Sequence, residues 1–161
     1  MPTFPALVEA FETRARAVLV GYPQLAHRWE DIDKWRGRRL SIPKAEESGF
    51  DVSVAAYPNG LYAYAGPWHS PAWDGCAPGE SVDAMCEEFL GFLRTLLCED
   101  AALAVDYAGG SPYRMRLHYQ TEQGGESSVT GQLFFNYFGK RSQKFFRNRH
   151  LPRRYAFGDA K

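Results

Sequence analysis

The sequence has no long apolar run and no recognisable leader segment. A helix that spans a bilayer needs roughly 18–20 consecutive apolar residues, and no stretch of the chain approaches that length. The segment Met1–Pro5 lacks the basic and apolar regions of a secretory signal. These two absences argue against a membrane-spanning protein, and we expect no membrane partner.

Cysteine is scarce, with only Cys76, Cys86 and Cys98 in the chain. Cys86 and Cys98 are predicted to share a helix, where their Cα atoms would lie about 18 Å apart. A disulfide requires Cα atoms within about 7 Å, so these two cannot pair there. Three cysteines without a disulfide framework favour a reducing compartment, and we expect a cytoplasmic protein.

Motifs for cofactors and metals are also missing. The sequence contains no Gly-x-Gly-x-x-Gly, no phosphate-binding Gly-x-x-x-x-Gly-Lys-Ser/Thr, no His-x-x-x-His and no Cys-x-x-Cys. We therefore predict no cofactor and no metal site. The loop at positions 68–76 holds His69, Asp74 and Cys76, which makes a small hydrolase a third hypothesis. Because buried cysteines are commonly inert, we expect that the protein is not an enzyme.

What the chain does contain is enough apolar and aromatic material for a folded core. Its 161 residues fit one domain, and 45% of them are hydrophobic and 15% aromatic. We predict a single α+β domain over residues 1–161, with a basic aromatic C-terminal segment at 139–161.

Hydrophobic periodicity predicts two main helices and about five strands. Apolar residues recur at helical spacing in two segments, and alternating residues with Gly-rich turns mark the strands. The predicted helices are Pro5–Val20 and a core helix from Val82 to Leu97; the predicted strands are a hairpin within Phe50–Gly66, and Leu103–Tyr107, Tyr113–Thr121 and Ser128–Tyr137. The order α-β-β-α-β-β-β with short connections favours an antiparallel sheet with both helices packed on one face.

Two segments give weaker patterns. Trp29–Ser48 is rich in charge and is interpreted as a connector, with a short helix near Trp29–Trp35. Gln143–Arg149 is interpreted as a possible helical turn.

The strand Tyr113–Thr121 alternates cleanly between two residue classes. Tyr113, Met115, Leu117 and Tyr119 should face one side of the sheet, and Arg114, Arg116, His118 and Gln120 the other. Nucleic-acid platforms place basic and aromatic residues on the same exposed face, so this strand resembles one only superficially. We expect its aromatic residues in the core.

The charge is distributed very unevenly along the chain. Residues 137–161 hold eight Lys/Arg and one acid, a balance of +7, whereas residues 1–136 have a balance of −7. Such asymmetry is an argument about partners rather than about fold. The basic segment either docks on its own body or binds an external anion, and we favour docking because Phe-rich segments rarely stay exposed.

The end of the chain resembles that of small bacterial immunity proteins from polymorphic or contact-dependent toxin systems. The likeness lies in Thr130–Ser142 and Asn148–Pro152. It implies a compact cytoplasmic domain that binds and neutralises a toxin. It carries no defining motif, so no functional residue is transferred from it.

The function hypothesis that follows is a protein-binding module, with a toxin domain as one possible partner. Charged patches would speed association and buried aromatic or arginine anchors would hold the complex. The predicted partner-binding residues are Glu30, Asp31, Asp33, Trp68, Trp73, Lys140, Arg141, Arg147 and Arg149. The alternative is a nucleic-acid-binding accessory protein that acts through the basic segment at 139–161.

Overall fold

The structure is a computed structural model that describes residues 6–73, 81–121, 123–131 and 139–154. In this part of the chain it has two α-helices, one short 3-10 helix and nine β-strands. The helices are α1 Leu7–Val20 and α2 Val82–Leu96; the 3-10 helix is Asp33–Trp35; the strands are β1 Arg28–Ile32, β2 Gly37–Ile42, β3 Val52–Tyr57, β4 Gly60–Ala65, β5 Trp68–His69, β6 Ala101–Ala108, β7 Ser111–Thr121, β8 Gly124–Gly131 and β9 Arg141–Phe146.

The strands form two sheets. The first sheet has the order β1-β2-β3-β4-β5, and the second has the order β8-β7-β6-β9. The β1–β2 and β2–β3 pairs of the first sheet are antiparallel, as are the β6–β7, β6–β9 and β7–β8 pairs of the second. Backbone contacts divide the chain into two compact units. The first comprises Met1–Pro43, Asp51–Tyr64 and Ser70–Arg94, and the second comprises Lys44–Phe50, Ala65–His69 and Thr95–Lys161.

The first unit is built around the apolar face of helix α1. Leu7, Phe11, Ala15 and Leu19 recur every four residues and are the buried positions of this helix. The ring of Phe11 meets Trp29 and Phe89 edge to face, at centroid distances of 6.2 and 5.9 Å. Leu40 and Val54, which are register partners on β2 and β3, are fully buried in the same core. The face of the sheet that carries Leu40 and Val54 is therefore the inner one.

The second unit is built around strand β6. Seven of its eight residues are buried, as expected for a central strand that is paired on both sides. Strand β9 pairs with one edge of β6 along six of the eight residues of β6, from Leu103↔Phe146 to Ala108↔Arg141.

The segment after β9 is fastened by buried hydrogen bonds. Asn148, which is 2% exposed, accepts a hydrogen bond from the backbone N of Phe50 at 3.0 Å and donates one to the carbonyl of Leu96 at 3.0 Å. The backbone N of Leu151 donates to the carbonyl of Leu97 at 3.0 Å. Residues 139–154 are therefore docked on their own unit.

The α+β class and the positions of the helices are confirmed. Helix α1 ends at Val20 as predicted, and the hydroxyl of Ser81 caps α2 by accepting from the backbone N of Ala84 at 3.1 Å. The hairpin is present as β3 and β4, with Pro58 and Asn59 between the strands. Neither helix in the described residues is long and apolar enough to cross a membrane.

The structure corrects two segments and the extent of the sheet. The predicted connector Trp29–Ser48 contains β1, the short helix Asp33–Trp35 and β2, because Leu40 and Ile42 alternate with Arg39 and Ser41 and bury one side of the strand. The predicted helical turn at Gln143–Arg149 was also wrong: residues through Phe146 belong to β9, where pairing with β6 satisfies the backbone. The sheet predicted with about five strands is two sheets with nine strands among the described residues.

The last predicted strand is shifted towards the N-terminus. Residues placed in the predicted turn, Gly124 and Gly125, lie in β8, which ends at Gly131. The remainder of the predicted strand, at positions 132–137, lies outside the described residues.

Candidate partner-binding surfaces

The predicted acidic patch is largely paired with the protein's own arginines. Glu30 accepts from Arg28 at 3.0 Å, and Asp31 forms an ion pair with Arg38. Arg38 also binds Glu12 on helix α1, at 2.9 Å. Asp33 is exposed in the short helix. Because most of its charge is compensated locally, this patch offers a partner less negative potential than the sequence suggests.

The two predicted tryptophan anchors differ in exposure, and neither is fully exposed. Trp68 is 1% exposed and belongs to the core. Trp73 is half-buried, and its ring lies 5.1 Å from that of Phe89 and 5.2 Å from that of Phe92. Both side chains therefore contribute first to packing.

The loop considered for catalysis can be judged only in part. His69 is exposed on β5. Asp74 and Cys76 lie outside the described residues, so the hydrolase hypothesis stays a prediction.

The predicted basic residues near the C-terminus serve different purposes. Lys140 is exposed, and Arg141 stacks on the ring of Tyr113 at 4.8 Å. Arg149 donates to the carboxylate of Glu99 at 2.5 Å. Arg147 donates to the backbone carbonyl of Glu99 at 3.2 Å.

A surface that the sequence analysis did not identify lies on the outer side of the first sheet. Tyr57 on β3 and Tyr62 and Tyr64 on β4 alternate with buried residues and share one face with Arg39 of β2. We call these four residues the tyrosine face. Arg39 lies between Glu30 and Ala55 in the register, so it belongs to a strand that is paired on both sides.

The rings of the tyrosine face are tightly positioned. Tyr57 and Tyr62 meet edge to face at 5.5 Å and 77°. The ring of Tyr57 lies over Gly37, where an added Cβ would come within 2.6 Å of the ring. Burial, followed by the neighbouring Tyr57, raises the pKa of the Tyr64 hydroxyl, and the charge of Arg39 opposes this rise.

An open groove adjoins the tyrosine face. Its volume is about 460 Å³, and it is lined by Tyr57, Pro58, Asn59 and Tyr62 at the turn between β3 and β4. The Nε of Arg39 is buried and finds no hydrogen-bond partner among the described residues. An unsatisfied buried donor is costly, so a ligand that accepts from Arg39 would gain free energy there.

A second surface lies on the outer side of the second sheet. Register pairing places Arg116, Ala104 and Phe145 in one row across β7, β6 and β9, and Arg114, Asp106 and Gln143 in the next row. His118 and Ala102 form a third row. We call the polar and aromatic members of these rows, with Arg147, the arginine face: Arg114, Arg116, His118, Asp106, Gln143, Phe145 and Arg147.

Asp106 organises the arginine face. Its carboxylate, on a residue only 5% exposed, accepts from Arg114 at 2.6 Å, Gln143 at 2.6 Å and Arg116 at 3.4 Å. Burial raises the pKa of Asp106, but the hydrogen bonds from Arg114 and Gln143 outweigh it and hold the pKa below its ordinary value.

Among the residues that the structure describes, no three His, Cys, Asp or Glu side chains lie close enough together to bind a metal ion. Comparisons with protein-family models, curated proteins and solved structures give no significant match to this chain.

Only the tyrosine face has a sequence signal that could have identified it. Tyr62 and Tyr64 alternate with small apolar residues directly after an Asn-Gly turn, which predicts a tyrosine-bearing outer face. The arginine face required knowing that β9 pairs with β6, because only that pairing brings Phe145 beside Arg116. This long-range pairing has no local signature.

Proposed function

We propose that the protein is a protein-binding module that holds its partner on the tyrosine face. The observation that carries the proposal is the cluster of Tyr57, Tyr62, Tyr64 and Arg39 beside an open groove of about 460 Å³. Tyrosine and arginine are enriched among the residues that dominate the free energy of protein–protein binding. Tyrosine rings also supply a large contact area at a small cost in side-chain entropy.

The chemistry of this surface fits a protein partner. The groove next to Pro58 and Asn59 can take an apolar or aromatic side chain, while the tyrosine hydroxyls offer polar contacts around it. The Nε–H of Arg39 would donate to a carbonyl or carboxylate oxygen of the partner, which would supply its missing acceptor.

The acidic patch has a smaller part in this proposal. Glu30 shares the outer side of the sheet with Arg39 and is tied to Arg28, so both signs of charge flank the tyrosines. Such a mixed rim helps to orient a partner more than it strengthens the complex. We expect the triple change of Glu30, Asp31 and Asp33 to alanine to slow association in low salt and to alter dissociation little.

A narrower form of the proposal is that the partner is a bacterial toxin domain, so that the protein acts as an immunity protein. The resemblance of Thr130–Ser142 and Asn148–Pro152 to immunity proteins supports this form. Co-expression tests it: the wild-type chain should restore growth of cells that express the captured partner, and Tyr62→Ala should not. Growth without any protective protein would contradict the toxin role and leave the binding role intact.

The binding role itself is tested by affinity capture from the native lysate. We expect a protein partner that survives nuclease treatment and a rise in salt from about 50 to 200 mM, conditions that weaken phosphate-driven binding. Tyr62→Ala should weaken binding of the purified partner by about 2 kcal/mol, or roughly 30-fold.

Two control variants make the capture experiment decisive. Tyr62→Phe keeps the ring and should retain most of the affinity for the partner. Tyr113→Ala removes a tyrosine from the other unit and should leave that affinity unchanged. Equal binding by wild type and Tyr62→Ala would reject the tyrosine face as the binding surface.

A further inference from the structure

The outer side of the second sheet combines positive charge with an exposed aromatic ring. Phe145 is 57% exposed, although Phe-rich segments normally finish a core. Its register partner Ala104 is paired on the other side with Arg116, so the phenyl ring and the guanidinium flank a single methyl group. With neighbouring strands about 4.8 Å apart, the Cα atoms of Phe145 and Arg116 lie roughly 10 Å apart.

The residues between and beside these two side chains are small and buried. Ala104 and Ala102 are 0% and 5% exposed, so they offer almost no reachable surface of their own. The ring of Phe145 and the arginines form the outer layer of side chains on this face, around these small residues. An exposed ring beside cations can stack against a planar ligand.

The charge of this layer is positive in excess of its one carboxylate. Arg114, Arg116 and Arg147 contribute three cations, and Asp106 contributes one anion that is already engaged by Arg114 and Gln143. The Nε of Arg116 is buried and has no hydrogen-bond partner among the described residues. An anion that accepted from it would remove the cost of that unsatisfied donor.

The imidazole of His118 is affected by the positive charges of this face. Burial first, and then the charges of Arg116 and Arg147, lower the pKa of its imidazole below the ordinary 6.5. Two cations from different parts of the second unit therefore act on one point of the face. A bound phosphate would relieve that repulsion.

We infer that the arginine face binds single-stranded nucleic acid, with a base stacked on Phe145 and phosphates held by Arg114, Arg116 and Arg147. The single strand is favoured over an acidic protein because the exposed phenyl ring carries no polar group and suits a base, and because unstacked bases are what a flat sheet can reach. The excess of arginine supplies the charge complementarity to phosphate. This site is separate from the tyrosine face and lies wholly in the second unit.

Fluorescence anisotropy with a labelled twelve-nucleotide oligothymidylate tests the inference on the full chain. If about three phosphates are neutralised, raising salt from 50 to 200 mM should weaken binding by roughly 20-fold. Phe145→Ala should weaken binding by about tenfold or more through lost stacking, and Phe145→Trp should preserve it. Arg116→Gln should weaken binding by a comparable factor.

Matched controls lie in the first unit. Arg28→Gln removes an arginine whose side chain is 71% exposed, and Val20→Ala alters a residue that is 80% exposed; neither should change oligonucleotide binding. Tyr62→Ala should also leave it unchanged, which separates this test from that of the proposed function.

Three results would overturn the inference. One is the absence of oligothymidylate binding at 50 mM salt. Another is an equal loss on Arg28→Gln and Arg116→Gln, which would mean unspecific attraction to total charge. The third is polyglutamate binding as tightly as the oligonucleotide with no effect of Phe145→Ala, which would assign the face to an acidic protein.

Discussion

Gly37 on β2 lies directly beneath the ring of Tyr57, which belongs to the tyrosine face. A Cβ at this position would lie 2.6 Å from the ring of Tyr57 and 2.8 Å from the carbonyl oxygen of Ala56. Both contacts are too short for a real side chain, and the carbonyl belongs to the sheet itself. The absence of a side chain at Gly37 therefore leaves the space that the ring of Tyr57 occupies.

We therefore expect Gly37→Ala to destabilise the fold by about 1–3 kcal/mol, measured by urea denaturation. Gly91 in helix α2 is the matched control, because a Cβ there would meet nothing within 4 Å. Gly91→Ala should raise the free energy of unfolding by about 0.5–1 kcal/mol. If both changes shifted stability in the same direction, packing over Gly37 would not be the cause.

The side chain of Asn148 forms hydrogen bonds with two backbone groups that are distant from it in the sequence. Its amide satisfies the N of Phe50 and the carbonyl of Leu96, both at 3.0 Å, in a site that is 2% exposed. Asn148→Ala leaves two backbone groups without these partners and should cost about 2–4 kcal/mol. Asn148→Asp keeps the acceptor but turns a buried carboxylate oxygen towards the carbonyl of Leu96, so at neutral pH it should destabilise the fold at least as much as the alanine change.

Among the elements, the three strands β7, β6 and β9 are joined by the carboxylate of Asp106. The pKa of this carboxyl is lower in the folded state, so the carboxyl stabilises the fold above its ordinary value of 3.8 and loses that contribution as pH falls through the folded value. Asp106→Asn should be less stable than the wild type at pH 7, and the difference between their free energies of unfolding should shrink as pH falls below 3.8. Parallel curves at every pH would show that the charge of Asp106 has no part in stability.

The row containing His118 gives the arginine face a spectroscopic probe. Burial and the cations of Arg116 and Arg147 lower its pKa, and His118 is paired across the sheet with Ala102 and Ser127, neither of which titrates. Oligothymidylate should therefore raise the pKa of His118 in an NMR titration and bind more tightly as pH falls from 7 to about 5.5. An unchanged pKa in the bound state would place the ligand elsewhere.

Strand β9 shows where sequence reasoning reaches its limit. The helices and the β3–β4 hairpin are local patterns, and they were predicted because periodicity and turn residues lie within a few positions of one another. Strand β9 reads RSQKFF, in which five of the six residues are exposed, so it has no apolar face to identify it. Its place is set by the free edge of β6, which a local pattern cannot show.

The same limit explains the candidate sites. Alternation along β7 correctly put Arg114, Arg116 and His118 opposite the apolar residues, and Met115 and Leu117 are buried. The aromatic ring that shares their face comes from β9, about 30 residues further along the chain. Charged residues such as Glu30 and Asp31 drew attention by composition, whereas their pairing with Arg28 and Arg38 is visible only in three dimensions.

At the scale of the whole molecule, the division of charge along the chain does not produce a free basic tail. Residues 139–154 are docked through β9, Asn148 and Leu151, and Arg149 and Arg153 converge on Glu99. Deleting the residues after Gly139 would therefore remove a strand together with the charge. We expect this deletion to expose apolar surface and to cause aggregation, measured by light scattering. A monomeric, folded deletion product would contradict the structural role of β9.

The late arrival of β9 has a consequence for synthesis on the ribosome. Strand β6 is largely apolar. The edge that later pairs with β9 stays unpaired until the ribosome has synthesised β7, β8 and the residues up to Phe146. At about 5–20 residues per second this interval lasts roughly 2–8 seconds, during which an unpaired apolar edge can recruit another nascent chain. Translation speed and chaperone occupancy over this interval should thus set the yield of folded protein, independently of the stability that the finished molecule attains.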